Sequence, residues 1–261
     1  MDEVSKTAVG VARIRAMESE RPDRLFDDPW APKFCAAAPD LMPLGEPTPL
    51  GRALAFQVVI RTRFYDDYLL DSGCAQVVLL GAGLDSRAYR LDWPAGTSLY
   101  EVDLPGVLAF KENVLGGAEP RCTRVVVPAD LSENWEKPLH EAGFRPELPT
   151  AWLAEGLLAY LTPEDADRLL ATVTALSAPG SRIASERGDR SLREEVNKSG
   201  AAHRFAPLWK GGLGRPTAEW LTENGWQPTE HSLDDVAEGY HRPLGRESTS
   251  GFATAIRGAS S

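Results

Sequence analysis

Five short apolar runs, Gln76–Leu80, Ser98–Val102, Arg124–Val127, Ala151–Ala154 and Arg182–Ser185, are each accompanied by a carboxylate at or just beyond their carboxyl ends. Gly81-Ala82-Gly83-Leu84-Asp85 follows the first, and Glu101-Val102-Asp103 closes the second. Asp130, Glu155 and Glu186 follow the remaining three. Glycines such as Gly81 and Gly83 let the backbone approach a ligand closely. Glu101 and Asp103 can each accept a hydrogen bond from a ribose hydroxyl. A nucleoside-type ligand is therefore expected. Ser86 stands where the dinucleotide fingerprint wants its third glycine, and Asp85 beside the turn repels phosphate. The pattern favours an uncharged linker between nucleoside and tail. S-adenosylmethionine has such a linker, and its sulfonium and ammonium tolerate acids while its carboxylate needs a cation.

Two arginines are candidates for that cation. Arg15 continues the helical stripe Val4, Ala8, Val11, and Arg61 falls within the stripe Leu54, Val58, Tyr65, Tyr68. Each puts a permanent charge on an apolar face, where a guanidinium can grip a carboxylate with two prongs. The alternative is that each pairs with an acid of the protein or reaches to solvent. For acceptor chemistry no histidine or cysteine stands at a strand end. His203 and His241 are the first candidates for a base, and Tyr160 is a candidate for the substrate pocket.

The elements that must position these residues read as follows. Residues 5–20 and 51–71 have helical periodicity, with seven prolines between 21 and 50 allowing only short helical pieces and turns. The five apolar runs recur at intervals that leave room for helices such as Val107–Leu115 and Pro163–Leu176. Thr162 is placed to cap the latter, with Pro163 at its first position. Strands apolar on both faces and alternating with helices mean a parallel sheet covered on both sides. Trp226–His231 and Phe252–Ile256 add two last strands. Residues 187–216 read as a lid or insertion. In such a sheet ligands bind at the carboxyl ends of the strands, where the acids stand.

The composition narrows the partners. The chain has 261 residues, and 28 Lys and Arg against 38 Asp and Glu give a net charge of −10. That opposes binding to nucleic acid or to an anionic membrane. No apolar run reaches transmembrane length, and Met1-Asp2-Glu3 lacks the pattern of a signal peptide. Cys35, Cys74 and Cys122 form no CxxC pair and the four histidines are scattered, so no metal centre or disulfide framework is expected. A reduced, cytoplasmic setting follows, and a homodimer is allowed.

The motifs resemble those of the leucine carboxyl methyltransferase family. Gly81–Leu91 (GAGLDSRAYRL), Tyr100–Pro105 (YEVDLP), Ala129-Asp130-Leu131 and Glu155–Glu164 (EGLLAYLTPE) are similar to its ordered motifs. Thr7–Arg13, Arg24–Pro29 and Arg61–Phe64 are similar to the preface of its bacterial members. The resemblance spans about residues 5 to 186. It implies a class I methyltransferase, an α/β fold with a doubly wound, mostly parallel seven-stranded sheet. Residues 1–73 would form a helical N-terminal cap and 74–261 the S-adenosylmethionine-binding domain. It places Arg15 and Arg61 at the methionine carboxylate, Gly81 under the methionine and sugar, and Glu101 and Asp103 at the sugar or adenine-side hydroxyls. Asp130 and Leu131 fall at the adenine, Glu155 at the methionine ammonium and Tyr160 near the substrate. The expected activity is O-methylation of a carboxylate, or of a phenolic hydroxyl, on a small molecule such as a polyketide. A peptide C-terminal carboxylate, a non-catalytic cofactor binder and a nicotinamide-dependent oxidoreductase are the alternatives.

Overall fold

The structure, a computed structural model, describes residues 3–39, 49–187, 209–244 and 248–259. Three helices precede the first strand: α1 (Glu3–Ser19), α2 (Ala31–Ala37) and α3 (Pro49–Leu70). The prolines between α1 and α3 confine the helical structure described there to α2 and short turns, because each removes a backbone donor and restricts the residue before it. Then follow β1 (Gln76–Leu80), α4 (Arg87–Arg90), β2 (Ser98–Asp103), α5 (Pro105–Leu115), β3 (Thr123–Pro128), α6 (Glu136–Glu141) and β4 (Thr150–Ala154). The chain continues through α7 (Pro163–Ala175), β5 (Arg182–Glu186), α8 (Thr217–Glu223), β6 (Trp226–Ser232), α9 (Leu233–Gly239) and β7 (Gly251–Arg257). Thr162 caps α7 as expected, its hydroxyl accepting the Asp165 amide at 3.2 Å.

The seven strands form one sheet in the order β3-β2-β1-β4-β5-β7-β6. The first five in sequence run parallel, and β7 runs antiparallel to both β5 and β6. β1 and β4 are buried along their whole length, as central strands covered on both faces must be. The order reverses at β1, whose neighbours are β2 on one side and β4 on the other. That switch point leaves a crevice outside the carboxyl ends of β1 and β4.

Two hydrophobic layers cover the sheet. On one face Val77 and Leu79 of β1 pack with Val9 and Ala12 of α1 and Ile60 and Leu69 of α3. On the other, Val78 and Leu80 pack with Leu139 of α6 and Leu169 and Val173 of α7. The N-terminal helices therefore share a core with the strands that carry the site. This ties the position of Arg15 and Arg61 to that of the sheet.

Candidate active site

At the end of β1 the backbone turns through two glycines in the left-handed region, Gly81 at φ +68° and Gly83 at φ +48°. A Cβ on Gly81 would lie 3.1 Å from Leu157 Cδ1, so the close approach itself demands glycine. The loop is braced from the next strand. Gly81 and Ala82 donate to the Val102 carbonyl, and the Gly83 amide donates to Asp103 Oδ2 at 2.6 Å.

The glycine loop, the ends of β2 to β5 and helices α1 and α3 enclose one cavity of about 1400 Å³. Arg15, Arg61, Gly81, Gly83, Asp103 and Glu155 all line it, as do Asp130, Leu131 and Tyr160. Nine of the expected site residues thus meet at one place. Asp130 is exposed at its rim, its Oδ1 accepting both the amide and the hydroxyl of Ser132.

Four arginines and four acids form a single network on one side of the cavity. Glu155 Oε1 accepts from Arg15 Nη2 at 2.8 Å and from Arg61 Nε at 3.0 Å. Its Oε2 accepts from Arg87 Nη1 at 2.7 Å. Arg87 has no exposed surface. It also donates to Asp66 Oδ1 at 2.7 Å, pairs with Asp85 and reaches the Thr62 carbonyl at 3.3 Å. Arg90 forks onto Asp66 with two bonds of 2.6 Å. Arg61 reaches on to Glu186 Oε1 at 3.2 Å, and the same oxygen accepts the Gly156 amide at 2.7 Å. Gly156 has φ +64°, and a Cβ there would lie 3.1 Å from Arg61 Nη2. Glycine is what lets the guanidinium lie against the β4 loop.

The pairing shifts the two strand-end glutamates in opposite directions. Burial alone would raise the Glu155 carboxyl, but Arg87, Arg15 and Arg61 outweigh it and hold it well below the ordinary range. Glu186, paired with Arg61 alone among the described arginines, is raised by burial and by the neighbouring Glu155 charge. Asp85 is lowered: Arg87, Arg15 and Lys111 overcome its burial.

Arg15 and Arg61 thus pair with a protein acid, the alternative that their stripes left open. They retain further donors. Arg15 Nη1 and Arg61 Nη2 bond to no other described residue, and a guanidinium carries five N–H groups.

Two expectations are corrected. Glu101 does not line the cavity. It is fully buried in β2, its Oε2 held by Lys111 Nζ at 2.8 Å and Arg124 Nη2 at 2.7 Å. It shares a face of β2 with Asp103, yet stands two residues earlier, beneath α5 and beside β3. The charge pairing keeps it there, so it is not available to sugar hydroxyls. His241 is also absent from the cavity. It is exposed just past α9, at φ +57°. His203 lies outside the described residues, as does most of the expected 187–216 insertion. Trp209 lines the cavity, whereas Trp220 is buried with its indole donating to Asp167.

The sequence pattern did not single out Arg87, and it gave Glu186 no role beyond a carboxylate after a strand. Arg87 joins residues 21 and 68 positions away. The available signal was an arginine inside an otherwise buried turn. For Glu186 it was a carboxylate ending an apolar strand.

The comparisons agree on one family. The sequence model of the leucine carboxyl methyltransferase family matches residues 8–174. A Parafrankia sp. protein named as an S-adenosyl-L-methionine-dependent methyltransferase is 52% identical over 258 residues, covering 94% of this chain and 83% of its own length. A Streptomyces avermitilis protein with the same designation is 44% identical over 269 residues, 96% of this chain and 94% of its own. Among solved structures, a DUF574 family protein from Streptomyces avermitilis aligns with TM-score 0.60 at 16% identity, covering 94% of this chain and 96% of its own. Human N-acetylserotonin methyltransferase, solved in complex with S-adenosylmethionine, aligns with TM-score 0.51 at 12% identity, covering 88% of this chain and 67% of its own. At these identities the structural likeness speaks to the fold.

Proposed function

The chain belongs to the leucine carboxyl methyltransferase family, and from that premise we propose that it methylates an oxygen of a small, largely apolar molecule, with a carboxylate as the acceptor group. It is an S-adenosyl-L-methionine-dependent methyltransferase of the class I fold. The acceptor we favour is a secondary metabolite such as a polyketide.

The observation that carries this reading is the single cavity shared by the glycine loop and the N-terminal helices. At about 1400 Å³ it exceeds the roughly 300–1,000 Å³ of a site for one drug-sized ligand. It has room for a cofactor and an acceptor side by side. The residues present fit the cofactor. The glycine turn leaves backbone open to the ligand, Asp103 offers lone pairs to hydroxyls, and Arg15 and Arg61 keep unengaged donors for a carboxylate. Bound there, S-adenosyl-L-methionine supplies a methyl group already activated by its sulfonium.

The protein's own task is to hold an oxygen in line with that methyl group and to exclude water, since positioning supplies most of the rate. Val11, Ile14 and Met17 of α1 and Leu54 and Val58 of α3 line the cavity, giving an apolar body somewhere to bind. Lys210, an exposed residue of the lining, brings a cation that suits an anionic acceptor. A carboxylate is ionised at neutral pH and needs no base. No histidine lines the cavity among the described residues, which favours an acceptor of that kind over a phenol.

The test is a labelled-methyl assay across apolar carboxylic acids and phenols. A product cleaved by mild alkali is the ester this reading expects. An alkali-stable ether from phenols, with no ester from any acid, would overturn the carboxylate assignment.

A further inference from the structure

Glu186 ends β5 at the cavity wall, and only half of its carboxylate is engaged. Oε1 takes both the Arg61 guanidinium and the Gly156 amide. Oε2 makes no hydrogen bond or ion pair with another described residue. The side chain keeps 21% of its surface exposed and lines the cavity. Glu155 differs: both of its oxygens are taken by three arginines.

Resting on the carboxylate reading above, we propose that Glu186 is a specificity-determining residue for the acceptor, its Oε2 donating a hydrogen bond to the acceptor carboxylate so that the two groups share one proton. The proton comes from solvent when the acceptor binds and stays with Glu186 while the acceptor's other oxygen takes the methyl group. Two ionised carboxylates in contact inside a poorly hydrated cavity repel strongly. One shared proton turns that repulsion into a charge-assisted hydrogen bond. An acid so bound is distinguished from a neutral molecule of the same shape, which gains nothing from the exchange.

The surroundings of Glu186 support a proton there. Burial and the Glu155 charge raise its carboxyl, and Arg61 offsets them only in part. From α3, Tyr65 also faces it, a buried phenol whose hydroxyl has no hydrogen-bond partner among the described residues. Next along the chain, Arg187 is occupied with Glu230 of β6 at 2.8 Å. Arg15 of α1 is directed to Glu155 instead. The register partner on β7 is Phe252, which carries no charge.

The experiment measures kcat and KM for aryl and alkyl carboxylic acids between pH 6 and 9, in wild type, Glu186→Gln and Glu186→Ala. In wild type KM should rise with pH, approaching roughly tenfold per pH unit as Glu186 loses its proton, while kcat stays flat. Glu186→Gln keeps a donor and cannot ionise, so its KM should become independent of pH. Glu186→Ala should raise KM about tenfold or more at pH 6. Calorimetry of acid binding to wild type saturated with S-adenosylhomocysteine, in two buffers of different ionisation heat, should show uptake of up to one proton. This measurement needs no variant to fold. Pairing of each variant with S-adenosylhomocysteine at near wild-type affinity establishes that it is folded. A wild-type KM that is flat with pH, binding without proton uptake, or a kcat that rises with pH and collapses in Glu186→Gln would each overturn the inference while ester formation still stands. If no acid yields an alkali-labile product, the carboxylate reading fails and this inference falls with it.

Discussion

Arg87 Nη1 lies 2.7 Å from Glu155 Oε2, with the arginine wholly buried and the glutamate 9% exposed. The pair joins the first glycine turn to the end of β4, and through Asp66 it reaches helix α3. One guanidinium therefore holds three parts of the site in register. Removing it strands carboxylates that have little access to water, whereas an exposed pair would contribute little.

Arg87→Ala is accordingly expected to destabilise the fold by about 3–5 kcal/mol, read by urea denaturation. Arg87→Lys should recover less than half, because an ammonium cannot bridge Asp66, Asp85 and Glu155 with one planar fork. A loss below about 1 kcal/mol in Arg87→Ala would contradict the role assigned to the network.

The depressed Glu155 carboxyl makes a statement about acid. A group whose folded-state value lies below its unfolded one stabilises fully above the unfolded value and loses that contribution as pH falls toward the folded one. Glu155→Gln should thus cost about 3–5 kcal/mol at pH 7. The difference from wild type should narrow progressively below about pH 4.5. Denaturation midpoints at pH 7, 5 and 3 check the sign. A difference that grew on acidification would refute the pairing.

Arg61→Ala should weaken S-adenosylhomocysteine binding by about 2–4 kcal/mol in calorimetry, the scale for a charge pair shielded from water. Arg61→Lys should restore part of it. Affinity within twofold of wild type in a folded Arg61→Ala protein would remove Arg61 from the cofactor's carboxylate.

The two acids of β2 should separate by phenotype. Asp103→Ala is expected to cost about 1.5–3 kcal/mol of cofactor affinity, with an added loss of order in the glycine loop it braces. Glu101→Ala strands Lys111 in the interior and leaves Arg124 with Glu112 alone, and should cost about 3–5 kcal/mol of stability, leaving the affinity of the folded fraction nearly unchanged. The reverse assignment of effects would mean that Glu101, and not Asp103, meets the ligand.

His241→Asn keeps a residue suited to the left-handed backbone and removes the imidazole. Since His241 is exposed and away from the cavity, the methyl-transfer rate should stay within twofold of wild type. Its pH profile should not change. A tenfold drop in rate would place the histidine at the chemistry after all.

How far the sequence carried depends on the range of the forces involved. Apolar runs flanked by glycines and alternating with helical periods determined the strands, because central parallel strands must be apolar on both faces. The seven strands lie within one or two residues of the spans read from sequence. The glycine turn, Asp103, Arg15, Arg61 and Glu155 were legible for a similar reason. Their spacing fixes them to strand ends and helix faces that the fold brings to one crevice. Glu101 was not separable from Asp103 in this way, since residues two apart share a face of a strand. What separates them is how far β2 extends before it leaves the cover of Lys111 and Arg124, and those come from α5 and β3. The Arg87 network and the half-engaged carboxylate of Glu186 were likewise decided only by tertiary structure. Local patterning shows that a side chain is buried, but a buried charge is defined by its partners, and here those partners come from residues up to 140 positions apart.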